Sequence, residues 1–187
     1  MNNAKYLKIR MKSQSKIAWN SLLQKGFFLE GMGGMTIRQF LIESLGYDNC
    51  LIDDSVRTIF LNSSPVDDID GATIKDNDRI ALGSAMPGLV GICMGRDNPY
   101  KEFRSDIACK GNGNEIDTAQ VVRLFVKIFS TLAVDTGEDV LKRGIQVDAH
   151  ILADLFEQQS EHLVDDGGVS NLSTKSGETI RIAVEFI

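Results

Sequence analysis

Apolar and polar residues alternate strictly in two stretches of the chain. Over residues 7–12, Leu7, Ile9 and Met11 fall on one side and Lys8, Arg10 and Lys12 on the other; over 179–187, Ile180, Ile182, Val184 and Phe186 share a side. A period of two puts alternate side chains on one face of a pleated strand, so both stretches are expected as half-buried strands. Further strands are expected at Phe27-Phe28-Leu29, at 57–62 and at 74–82, the last two separated by the turn-forming Pro65-Val66-Asp67-Asp68. Residues 15–24 fit a short helix or an irregular strand equally. A tight turn at Ser176-Gly177 would pair the final strand with residues 169–174 as a hairpin.

The helical period appears first after Gly31-Met32-Gly33-Gly34-Met35, where Thr36 can cap a helix that puts Ile37, Phe40, Leu41 and Leu45 on one face and ends at a left-handed Gly46. Residues 47–55 are expected as a loop. A second helix is expected over 117–134, capped by Asp117 and Gln120. Its polar stripe, Gln120, Arg123, Lys127 and Ser130, is narrow, and Val121, Val122, Leu124, Phe125, Ile128, Phe129 and Leu132 cover the rest. So much apolar surface suits a central element or one covered by a partner. A short helix over 138–143 stops at Gly144, and a last one over 148–163 turns Ile151, Leu152, Leu155 and Phe156 inward. Between the halves, residues 96–114 are rich in Gly, Asn and Asp and have the composition of a connection.

Composition narrows the function classes. The 187 residues are 43% hydrophobic, enough for one well-filled core, and the net charge of -6 disfavours a nucleic-acid partner and an anionic membrane surface. Cys50, Cys93 and Cys109 follow no C-x-x-C spacing and read as reduced thiols of a cytoplasmic protein. The first residues lead into a strand without an apolar leader, and no stretch approaches the length of a membrane span.

Three segments carry a family likeness. The helix Thr36-Ile37-Arg38-Gln39-Phe40-Leu41-Ile42-Glu43-Ser44-Leu45-Gly46, the strand and turn Phe60-Leu61-Asn62-Ser63-Ser64-Pro65-Val66, and Ile74-Lys75-Asp76-Asn77-Asp78-Arg79-Ile80-Ala81-Leu82 occur in that order before a Pro-Gly segment. Together they resemble the β-grasp sulfur carriers, the small subunits of molybdopterin synthase and the thiamine sulfur carriers. The resemblance covers roughly the first half of the chain and implies an α+β fold: a β-grasp (ubiquitin-like) sheet over 1–95, then a helical extension over 96–187 with a C-terminal strand or hairpin that either stands apart or completes a single domain. It also implies a terminal Gly-Gly whose carboxylate becomes a thiocarboxylate. Here Gly88 and Gly91 are not adjacent and the chain runs on to Ile187, so that chemistry would need proteolysis at Gly88 or Gly91.

Other candidate sites follow from the residues themselves. Met86, Pro87, Gly88, Leu89, Val90, Gly91 and Met94 form an apolar segment that reads as a buried crossover into the second half or as a flexible patch suited to partner docking. Gly33, Gly34 and Thr36 lie at a helix start, where backbone N–H groups can hold an anion. His150, Asp154 and Glu157, with Glu161 beyond, share a helix face at metal-ligand spacing, a pattern that a solvated acidic face explains with no ion. No nucleophile–base pair is legible and no cofactor is implied. The leading expectation is a non-enzymatic protein-binding or assembly module, acting on a protein partner or on itself through 117–134 or 86–94. A proteolytically activated sulfur-carrier precursor and a metal-dependent enzyme are the alternatives.

Overall fold

The computed structural model describes residues 6–96, 98–104, 106–109, 120–169 and 178–187. The fold is mixed α+β. Strands β1 (Leu7–Met11), β2 (Phe27–Met32), β3 (Thr58–Leu61), β4 (Ser64–Pro65), β5 (Arg79–Gly83), β6 (Val121–Phe129), β7 (Ile145–Asp148), β8 (Leu163–Asp165) and β9 (Thr179–Phe186) form one nine-stranded sheet in the order β4-β3-β5-β6-β2-β7-β9-β1-β8. Strands from before and after residue 95 interleave, so the connection does not separate two sheets. The pairs β5–β6 and β1–β9 are parallel and the other pairs antiparallel.

The helices are α1 (Lys16–Lys25), α2 (Ile37–Phe40, widening to π pitch over Leu41–Leu45), α3 (Asn49–Asp54), α4 (Gly88–Met94), α5 (Ser130–Arg143) and α6 (Ala149–Gln158). Helices α1, α2, α5 and α6 pack on the sheet face formed by Leu29, Val122, Leu124, Val126, Ile128, Ile180, Ile182 and Val184, all buried. Local chemistry sets the start and end of α2. The Thr36 hydroxyl accepts from the Gln39 N–H at 3.2 Å while the Gln39 side chain accepts from the Thr36 N–H at 2.9 Å, and Gly46 ends the helix at φ 77°.

The largest correction concerns 117–134. Asp117 lies outside the described residues, but Val121–Phe129 is a strand, and helix begins only at Ser130. The apolar residues satisfied both periods, because Val122, Leu124, Val126 and Ile128 alternate while Phe125 and Phe129 fill in a helical stripe. In the sheet the first set faces the helices and the second faces the other way, which accounts for the surplus apolar surface. Two smaller differences and two resolved or untested expectations follow. The expected loop 47–55 contains α3, capped by Asp48 accepting from Leu51 N–H at 2.7 Å, and 16–25 resolves as helix. The helix expected over 148–163 ends at Gln158. The hairpin strand over 170–174 lies outside the described residues, and β9 joins β7 and β1 in the main sheet.

Tyr47 ties the end of α2 to α5. Its hydroxyl lies 2.8 Å from Thr136 Oγ1, which donates to the Leu132 carbonyl at 2.7 Å, so Tyr47 is the donor. Burial raises the Tyr47 pKa to about 12, partly offset by the Thr136 hydrogen bond. A pKa raised by folding leaves stability intact below pH ~10 and removes it as pH climbs toward the folded value, by about 1.4 kcal/mol per pH unit. Urea unfolding between pH 9 and 11 should therefore show a steeper decline for the wild type than for Tyr47→Phe; equal slopes would refute it.

Candidate functional site

The sheet face opposite the helices is assembled by strand register. Gln146 of β7, Phe28 of β2, Phe125 of β6 and Arg79 of β5 lie side by side, with Arg181 of β9 next to Gln146. One row along, Glu30 faces Arg123; on the other side Lys127, Ala81 and Phe60 line up. The turn Asp76-Asn77-Asp78 holds β6 in this register. Asp76 accepts from Arg123 N–H and Asn77 N–H donates to the Arg123 carbonyl, both at 2.9 Å, and the Asp78 carbonyl accepts from Phe125 N–H at 2.9 Å. The Asp78 carboxylate is itself held by Asn62 Nδ2 and Lys75 N–H, both at 2.7 Å. Asn77 adopts φ 64°, which Asn tolerates better than most residues.

The aromatic rings are packed edge-on and half-buried. Phe28 and Phe125 meet at 5.1 Å with planes inclined 61°, and the Arg123 guanidinium sits 3.8 Å above the Phe28 ring. The Phe125 ring lies over the backbone of Gly26, which has no side chain to obstruct it. Arg123 donates to Thr179 Oγ1 at 3.3 Å, while Glu30 accepts from Gln146 at 3.0 Å and pairs with Arg181.

Charge on this face opposes that of the whole chain. Lys8, Arg10, Arg79, Arg123, Lys127 and Arg181 outnumber Glu30, Asp148, Asp165 and Glu185, although the net charge is -6. Toward β3 the face dips into two adjoining pockets that share Phe60 and Ala81. One, of about 380 Å³, is walled by Arg79, Phe125 and Lys127; the other, of about 220 Å³, is apolar, with Gly83, Met86 and Phe129 around it.

The residues singled out from sequence are scattered. Met86 lines the apolar pocket, Pro87 leads into α4, Leu89 is 75% exposed, and Gly91 is buried against the Met86 backbone. Gly88 is exposed at φ 81° and Met94 is half-buried, while the side chain of Val90 lies outside the described residues. At the α2 start, Gly33, Gly34 and Thr36 N–H groups already donate to Gln120 O, Ile74 O and Gln39 Oε1, and Ile37 and Arg38 N–H to Ala72 O and Ile69 O, so these groups are engaged within the fold. His150 and Asp154 line a groove of about 420 Å³ between α1 and α6, with Glu157 exposed nearby; among the described residues no three His, Cys, Asp or Glu converge as a metal set. Phe28, Arg79, Arg123, Phe125 and Lys127 were not anticipated as site residues. For Arg123, Phe125 and Lys127 the signal was present in the basic and aromatic odd-numbered positions of Val121–Phe129, once that stretch is read with a period of two.

Among the described residues no helix is long and apolar enough to cross a membrane. No protein-family model, curated protein or solved structure matches this chain.

Proposed function

We propose that this protein is a non-enzymatic binding or assembly module, built on a β-grasp-type sheet, whose open face docks an acidic protein partner. The observation that carries the reading is the cationic and aromatic face on an otherwise acidic chain. Complementary charge steers encounter and rejects wrong partners, and the half-buried phenylalanines between the cations supply contact area. Strand addition at an edge is disfavoured, because β4 is two residues long and contains Pro65 and β8 is three residues long. Base stacking on Phe28 and Phe125 is also disfavoured, since it needs free ring faces and theirs are engaged by Arg123 and Gly26.

The β-grasp reading draws on topology. Helix α2 packs beneath β2, a parallel pair β5–β6 runs through the centre, and antiparallel β2 and β3–β4 flank it. The strand beside β2 is β6, supplied from later in the chain, while β1 pairs elsewhere.

Fluorescence anisotropy with labelled polyglutamate tests the face. The wild type should bind with an affinity that falls as salt rises, and Arg79→Glu/Lys127→Glu should bind at least about tenfold more weakly. Equal binding by the folded double variant, or tighter binding of an oligothymidine than of polyglutamate, would remove the proposal. If sedimentation shows a wild-type dimer that the double variant dissolves, the acidic partner is a second copy of the chain.

A further inference from the structure

The apolar pocket at one end of the open face and the cations beyond it follow the direction of two paired parallel strands, Arg79 on β5 and Lys127 on β6. Gly83 and Met86 mark the pocket at the end of β5, Lys127 stands beside Ala81 two residues back, and Arg79 lies four residues back. At ~3.3 Å per strand residue, the register positions of Lys127 and Arg79 lie about 7 and about 13 Å along the strands from that of Gly83. Gly83 is the residue that leaves the pocket open. Its backbone is not in the left-handed region, and a Cβ there would meet only the Phe129 Cβ, at 3.9 Å, so a side chain is tolerated and the glycine is not explained by strain. Glycine within a strand often marks a place where another molecule approaches closely.

We infer that this trough recognises an extended acidic segment of the partner, with one bulky apolar side chain seated between Met86 and Phe129 and carboxylates two and four positions away on Lys127 and Arg79. The inference rests on the docking reading above and specifies its ligand. Two-residue spacing is the natural fit, because alternate side chains of an extended peptide point the same way. The pocket volume of about 220 Å³ suits a leucine- or phenylalanine-sized group, and the wall contributed by Met86 can adjust to its shape.

The test uses peptides reading Glu-Ser-Glu-Ser-Leu and its reverse, each compared with a version carrying Ser for Leu and with one whose Leu is shifted by one position. In one direction the Leu peptide should bind the full-length protein about tenfold to a hundredfold more tightly than the Ser version, from burial of one apolar side chain, and the shifted Leu should give no gain. Gly83→Leu fills the pocket and should abolish the gain while leaving the Ser peptide's affinity unchanged; Met86→Glu, in the half-exposed rim, should abolish it independently. No gain from Leu in either direction, or a gain that survives both substitutions, overturns the inference while binding of the Ser peptides leaves the acidic docking face standing. Failure of every acidic peptide to bind removes both.

Discussion

Phe40→Ala is expected to lower stability by about 3–5 kcal/mol, the usual cost of emptying a large aromatic site in a core. Phe40 is fully buried on the inner face of α2, and its ring lies 3.1 Å from where a Cβ on Gly31 would stand. Gly31 in turn pairs with Val122 of β6. The ring is therefore an apolar contact through which the helix presses on the β2–β6 pair, and the absence of a side chain at Gly31 lets it approach. Urea unfolding should show the midpoint falling with little change in slope, and melting should drop by roughly 10 °C for a chain of this size. A loss under about 1 kcal/mol would mean that α2 is not held to the sheet in this way.

Arg96→Ala should cost about 2–4 kcal/mol for a different reason. Arg96 is only 5% exposed, and its guanidinium donates to the Ile52 carbonyl at 2.6 Å and to the Val56 carbonyl at 2.9 Å and 3.1 Å. Those carbonyls lie at the end of α3 and on the path into β3, where a helix leaves acceptors without N–H partners. Removing the donor strands them in the interior. Lysine should recover little, because one ammonium cannot reproduce the planar fork that reaches both oxygens. Hydrogen exchange should show α3 opening more readily in Arg96→Ala, and protection unchanged from wild type would count against this role.

The sequence exposed those features whose causes are local. The Thr36 cap and the left-handed Gly46 depend on residues within a few positions of one another. The alternation in β1 and β9 likewise sits within each segment. The neighbours of those strands were not legible, since β1 pairs with β9 from the opposite end of the chain. The candidate site was almost wholly hidden for the same reason: Phe28 meets Phe125, Glu30 meets Arg181, and Gly26 meets Phe125 across long separations.

Val121–Phe129 shows where the boundary falls. Its residues alone supported both a helix with one broad apolar side and a strand apolar on both faces, and the open place between β5 and β2 selected the strand. By itself the sequence determined the capped helix, the acidic turn and the alternating strands, because hydrogen-bonding and side-chain period act over a few residues. Tertiary structure alone decided the strand order, and with it the gathering of the cations and phenylalanines on one face, because register between distant segments is set by which surfaces the whole chain can bury.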